Sequence, residues 1–117
     1  MKYNRKLWIQ INNTLRERDI DPSQSKFINV VRHHVSETEL HFLAKAKFCF
    51  SLYKSDTPYL CEAITKDHLR KYDILNLVDN QIVEIETSKK NIKKDGSITI
   101  FVKKHKDEIK NTDSDRI

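Results

Sequence analysis

Residues 71–88 contain two apolar-rich runs on either side of the pair Asp79-Asn80. Both residues of that pair tolerate positive φ, so the pattern predicts antiparallel strands over 71–78 and 81–88, joined by a tight turn. Side chains alternate along each strand, so a hairpin also fixes which residues share a face. We therefore expect the fold to be built around an antiparallel sheet in the second half of the chain.

The predicted hairpin carries three carboxylates that alternation places on one face: Asp73, Glu84 and Glu86. The apolar residues between them are predicted to line the other face: Ile74, Val83 and Ile85. If Val78 pairs with Gln81, Asp73 lies directly opposite Glu86. Like charges opposite one another destabilise a sheet, and a divalent cation would offset the repulsion. The cluster favours a metal site, although a solvent-exposed hairpin face would show the same alternation.

Length and composition limit the classes of protein that need to be considered. The 117 residues suffice for one domain, and the single glycine, Gly96, excludes the Gly-rich loops that cradle phosphates or dinucleotides. Cys49 and Cys61 lie in apolar stretches and are expected to be reduced and buried. We find no membrane-spanning run and no secretory signal, so we expect a cytoplasmic protein without a membrane partner. The formal net charge of +5 favours an anionic partner such as a nucleic acid.

Two helices are predicted in an N-terminal extension, residues 1–35. An apolar stripe at helical spacing predicts the first over 3–18, and Ser23 is a candidate N-cap for the second, over about 24–34. Such a pair packs on a core, makes a homodimer contact, or binds DNA as a helix pair. The sequence leaves these roles open.

A third helix is predicted to begin at Ser36-Glu37-Thr38-Glu39. Its expected buried stripe, at positions three and four apart, is Glu39, Phe42, Leu43, Ala46, Cys49, Phe50 and Tyr53. Ser36-x-x-Glu39 also has the form of a capping box, and an acid in the first turn complements the helix dipole. Glu39 can serve as a cap, as a site carboxylate, or as both.

The remaining segments complete a single domain over residues 1–110. Residues 59–65 read as a strand with three residues predicted on one face: Leu60, Glu62 and Ile64. Residues 98–102 predict a last strand, and a short charged helix is expected over 103–110, before a disordered tail at 111–117. Between Ser88 and Ile98 the chain has room for either a short crossover helix or an irregular hairpin.

This order of acidic residues resembles the PD-(D/E)xK nuclease superfamily, the restriction-endonuclease-like fold that includes archaeal Holliday junction resolvases. Glu39 corresponds to the helix acid, Asp73 to the strand acid, and Glu84 to the first acid of (D/E)-x-K. Glu86 stands where the family usually has Lys, and Tyr72 stands where the motif has Pro. The resemblance implies an α/β fold, a restriction-endonuclease-like core of a helix followed by a β-meander, with the two N-terminal helices added.

The resemblance covers residues 36–88, the motif-bearing core, and implies a Mg²⁺-dependent nuclease, with Mn²⁺ as a substitute and DNA a more probable substrate than RNA. Asp73 and Glu84 would be the direct metal ligands, and the Ile85 carbonyl a further one. Glu39 would bind a second cation or a metal-bound water, and Glu86 would orient or deprotonate the attacking water.

Several lysines near the hairpin are expected to contact the nucleic acid: Lys71, Lys89, Lys90, Lys93 and Lys94. Two other classes of function remain open. One is a non-catalytic nucleic-acid-binding or regulatory protein on the same scaffold. The presence of Glu86 where the family motif has Lys favours this class. The other is a structural interaction module in which the acidic hairpin is incidental.

Overall fold

The computed structural model describes residues 3–86 and 97–101. In chain order its elements are helix α1 (Arg5–Glu17), a 3₁₀ helix (Pro22–Phe27), helix α2 (Glu39–Lys54), and strands β1 (Tyr59–Ile64), β2 (Lys71–Asn76), β3 (Gln81–Glu86) and β4 (Ile98–Phe101). The four strands form one sheet in the order β1-β2-β3-β4. Helix α1 packs against one face of this sheet and α2 against the other. The α/β class is confirmed.

Helix α1 confirms the first predicted helix and shows that it packs on the core. Its N-cap is Asn4, whose side chain accepts a hydrogen bond from the Leu7 N–H at 2.8 Å. Ile11 is fully buried against the sheet, and the Thr14 hydroxyl donates to the Leu77 carbonyl at 3.0 Å. Burial of this apolar stripe accounts for the position of α1.

The second predicted helix, over 24–34, is wrong. Only the 3₁₀ helix Pro22–Phe27 forms, and Asp21 rather than Ser23 is its N-cap, accepting from the Ser23 N–H at 2.9 Å. Asn29 has φ of 66°, which ends any helix, and its N–H donates to the Tyr59 carbonyl at 2.9 Å. The chain after the 3₁₀ helix therefore docks onto the start of β1.

Helix α2 forms where a helix was predicted, but its cap and its buried face differ from the prediction. Thr38 is the N-cap, accepting from the His41 N–H at 3.2 Å, so the predicted Ser36 capping box is wrong. Three members of the predicted stripe are more than half exposed: Leu43, Phe50 and Tyr53. Cys49 of the stripe is fully buried, as predicted. Lys45, which the stripe does not include, is also fully buried, because it has ion-pair partners beneath the helix.

The β2–β3 hairpin is confirmed, but its strands pair in a register shifted by two residues from the predicted one, because Gln81 pairs with Asn76 and not with Val78. Ile74 pairs with Val83 and Asn76 with Gln81, which places Asp73 opposite Glu84 instead of Glu86. The difference arises at Asn76, whose side-chain oxygen accepts from the N–H groups of two following residues and ends the strand early. The face predicted for Ile74, Val83 and Ile85 is confirmed, since all three belong to the core cluster under α2.

Strand β4 pairs with β3 in parallel, with Glu84 beside Thr99 and Ile85 beside Ile100. Parallel neighbours require a crossover, so the connection between β3 and β4 is not a hairpin. The irregular hairpin is therefore excluded, and the segment expected as a short crossover helix lies outside the described residues.

Some predictions lie outside the described residues: the helix over 103–110, the tail at 111–117, and Lys89, Lys90, Lys93 and Lys94. Cys49 and Cys61 are free and buried, as expected. Within residues 3–86 and 97–101, no helix combines the length and the apolar character that a bilayer crossing requires.

Candidate active-site cavity beside helix α2

A cavity of about 640 Å³ opens between the N-terminal end of α2 and strands β1 and β2. Its titratable lining includes Glu37 and His41 from the α2 end, Glu62 from β1, and Lys71 and Asp73 from β2. Both signs of charge thus meet in one concave site, with the core cluster under α2 behind it. A volume of this size is in the range of small-molecule and substrate pockets.

Lys45 anchors the charged network at the back of the cavity. Its side chain is fully buried, and its ammonium donates to Glu37 Oε1 at 2.8 Å and to Glu62 Oε2 at 3.1 Å. Burial would lower the pKa of Lys45, but the hydrogen bonds to the two carboxylates outweigh it and the pKa is raised. Burial would likewise raise the pKa of Glu37, and the hydrogen bonds from Lys45 and His41 bring it below its ordinary value instead. The group is charged and internally paired.

Glu62 reaches this network because β1 is irregular at that position. Glu62 has φ of 59°, and the residues on either side of it pack on opposite faces of the sheet, Cys61 under α2 and Ala63 under α1. In a regular strand, two residues separated by one would share a face. The prediction that Leu60, Glu62 and Ile64 share a face is therefore wrong, and the Glu62 carboxylate contacts Lys45 of α2.

His41 links α2 to strands β2 and β3. Its Nδ1 atom contacts the Glu37 carboxylate, and its Nε2 atom lies 3.1 Å from the Ile85 carbonyl oxygen and 3.5 Å from Asp73 Oδ2. Both ring nitrogens thus face oxygen atoms of other residues. His41 thereby holds the Asp73 carboxylate near the N-terminal end of α2.

Asp73 and Glu84 meet where the β2–β3 ladder ends. The Ile85 N–H donates to Asp73 Oδ2 at 2.7 Å, and the Asp73 N–H donates to Glu84 Oε2 at 3.2 Å. Each carboxylate takes the place of a main-chain acceptor on the neighbouring strand. Tyr72 packs with the cluster under α1 whereas Ile74 packs under α2, so alternation also breaks at Asp73.

The predicted shared face of the three carboxylates is consequently not observed at Asp73, whose carboxylate lies on the α2 side. Glu84 leaves β3 on the opposite side from its neighbours Val83 and Ile85 and is buried. Glu86 is partly buried at the end of β3. Glu39 is exposed in the first turn of α2 and does not line the cavity.

Sequence reasoning missed three residues that the structure brings to this site: Glu37, His41 and Lys45. The spacing of His41 and Lys45 was a usable signal, because residues four apart share one helix face. Glu37 precedes the N-cap of α2. Of the lysines predicted to bind nucleic acid, Lys71 does line the cavity, and its ammonium lies 2.8 Å from Glu62 Oε1.

Whether the site suits Mg²⁺ depends on its donor atoms. Among residues 3–86 and 97–101, no three side chains of the His, Cys, Asp or Glu type are arranged around a common metal position. Mg²⁺, however, is usually held by one or two carboxylates and keeps several waters. Asp73 supplies one hard oxygen donor of that kind on the cavity wall. Glu84 is buried on the other side of β3 and does not line the cavity, so of the two only Asp73 is placed for an open, water-rich site.

Comparison of the chain with known protein families, with curated proteins and with solved structures finds no match. The likeness to PD-(D/E)xK nucleases therefore rests on the motif residues and on their order along the chain.

Proposed function

We propose that this protein is a metal-dependent nuclease that hydrolyses phosphodiester bonds in DNA. The observation that carries the proposal is the meeting of Asp73 and Glu84 across neighbouring strands, with Asp73 on the wall of a cavity that also holds a lysine and a histidine. Supporting it are the helix–meander order, the parallel fourth strand reached by a crossover, and the net charge of +5. Of these, the helix–meander order is what the family resemblance implies.

In this proposal Asp73 would hold a Mg²⁺ ion at the cavity wall, with Glu84 as the second ligand that the family resemblance implies. The ion would supply neutralisation of phosphate charge and a nucleophile from water. His41 keeps the Asp73 carboxylate in place through its Nε2 atom. Glu86 takes the position where the family usually has Lys, and would accept a proton from water or orient it. Glu39 would act only as an outer carboxylate, since it is exposed and outside the cavity lining.

A non-catalytic nucleic-acid-binding or regulatory protein on this scaffold is the second candidate. The observation that favours it is that Asp73 and Glu84 each already accept a main-chain N–H. Carboxylates engaged in this way would stabilise the sheet without any metal. The absence of Lys at the position of Glu86 points in the same direction.

Cleavage assays with labelled DNA and RNA, presented as single strand, duplex, flap and junction, test the proposal in Mg²⁺, in Mn²⁺ and with chelator. Asp73→Asn and Glu84→Gln are preferred to alanine, because the amide oxygens can still accept the two main-chain N–H groups. We expect both variants to lose cleavage and to retain nucleic-acid binding. Asp56→Asn is the matched control, since Asp56 is exposed and its positive φ suits Asn.

Thermal melting with increasing Mg²⁺ separates the two candidates, because a ligand that binds the folded state raises its stability. The nuclease proposal predicts a rise in Tm for the wild type that Asp73→Asn reduces. Cleavage that persists in both site variants would remove the assignment. No cleavage on any substrate, with no Mg²⁺-dependent rise in Tm, would leave the non-catalytic candidate.

A further inference from the structure

Lys71 lies on the wall between two adjoining cavities. The first is the cavity of about 640 Å³ that contains Asp73, and the second, of about 180 Å³, is lined in part by Arg32 and His33. Lys71, Glu62 and His34 line both. A nucleic-acid strand that ran from one cavity into the other would therefore pass the Lys71 ammonium.

The pairing of Glu62 makes Lys71 available for a second partner. Glu62 is held by two lysines through different oxygens, Lys45 at 3.1 Å and Lys71 at 2.8 Å. Lys45 is fully buried and fixed, whereas 37% of the Lys71 side chain is exposed. Lys71 is the solvent-facing partner of the buried Glu62 carboxylate, and if Lys71 turns to a phosphate, Glu62 keeps its buried partner Lys45.

We infer that Lys71 binds a backbone phosphate of the nucleic acid, adjoining the phosphodiester presented to Asp73, and that Glu62 retains the ammonium at the cavity wall when no strand is bound. Lys71 and Asp73 are two residues apart on β2 and line the same cavity, so the two groups would act on neighbouring positions of one backbone. A lysine ammonium binds phosphate as a compact point charge. This inference rests on the proposed function, which identifies the bound molecule as a nucleic-acid strand.

Salt dependence of binding measures this contact directly, with chelator present so that no cleavage occurs. The probe is a fluorescein-labelled single-stranded DNA of about 12 nucleotides, a length within the span of common single-strand sites. Fluorescence anisotropy gives the affinity at KCl concentrations from roughly 50 to 200 mM. Each phosphate contact on a single strand contributes about 0.7 to the slope of log K against log salt concentration.

Lys71→Met is expected to weaken binding and to reduce that slope by about 0.7. Lys71→Arg, which keeps the charge, should retain the wild-type slope. Lys66→Met is the matched control, because Lys66 is also an exposed lysine facing an acid, with Asp19 at 3.6 Å, but does not line either cavity. Circular dichroism confirms that the variants are folded.

A wild-type slope in Lys71→Met, or an equal reduction in Lys66→Met, would overturn the assignment of Lys71. A wild type that does not bind the probe would overturn it as well. The nuclease proposal is judged separately, by cleavage in the wild type and its loss in Asp73→Asn. If the slope falls in Lys71→Met but the wild type cleaves nothing, the phosphate contact is supported and the proposed activity fails.

Discussion

Replacing Lys45 by Met tests whether the buried ion network holds the cavity together. Methionine has a similar length and fills most of the space, so the principal loss is that of two buried charge pairs, at 2.8 Å to Glu37 and 3.1 Å to Glu62. Removing one partner of a buried pair costs roughly 3–5 kcal/mol. Glu37 keeps His41 and Glu62 keeps Lys71, so each carboxylate retains a side-chain partner. We therefore expect Lys45→Met to lower the free energy of unfolding by about 3 kcal/mol, the low end of that range.

Equilibrium unfolding in urea measures this loss as a lower midpoint with an unchanged m-value. Lys47→Met is the control, since Lys47 is an exposed lysine on the same helix and its replacement should stay within about 0.5 kcal/mol of the wild type. The double variant with Glu37→Gln should cost less than the sum of the two single changes, because both remove the same pair. A loss below about 1 kcal/mol for Lys45→Met, the size typical of an exposed pair, would refute the description of this network as buried and interdependent.

Two further predictions concern the pH range of stability and the cap of α2. The pKa of Glu37 is lowered from 4.5, so its contribution to the unfolding free energy should be complete above pH 4.5 and be lost as the pH falls through the lowered value. The pKa of Lys45 is raised from 10.5, so its contribution should be complete below pH 10.5 and be lost above the raised value. Urea unfolding across pH should show a plateau between these limits, and stability that increased below pH 4.5 would contradict it. Thr38→Ala should cost about 1 kcal/mol in the same assay and Ser51→Ala much less, and equal losses would contradict the cap.

The architecture could largely be predicted from apolar patterning. Helix α1 and the β2–β3 hairpin were predicted because their apolar residues recur with the helical and the strand period, respectively. Only the matching secondary structure brings these residues together on one buried face. The register could not be predicted, since it depended on the Asn76 side chain accepting two main-chain N–H groups. The prediction of a second helix over 24–34 was wrong for a similarly local reason, the left-handed conformation of Asn29.

The site was harder to predict than the fold, because its geometry departs from average behaviour. Lys is rarely buried, so a stripe chosen by hydrophobicity did not include Lys45. Positive φ at Glu62 is uncommon in a strand, and it reverses the face on which that carboxylate lies. Asp73 and Glu84 were found because a cluster of acids amid apolar residues is unusual whatever the exact register. Their roles as ligands, a DNA substrate and a homodimer stay predictions.

The partners of the carboxylates differ between the back of the cavity and its wall. Glu62 has an ammonium on each oxygen, and Glu37 has Lys45 on one oxygen and His41 on the other. A divalent ion would have to displace these partners. Asp73 and Glu84 each accept a main-chain N–H, at Oδ2 and Oε2, and Asp73 Oδ2 also lies 3.5 Å from His41 Nε2. An ionised carboxylate has about four acceptor positions, so a main-chain N–H on one oxygen does not by itself prevent Asp73 from binding a metal. The buried network shapes the cavity, and cation binding by Asp73 and Glu84 stays a proposal that the Mg²⁺ titration tests.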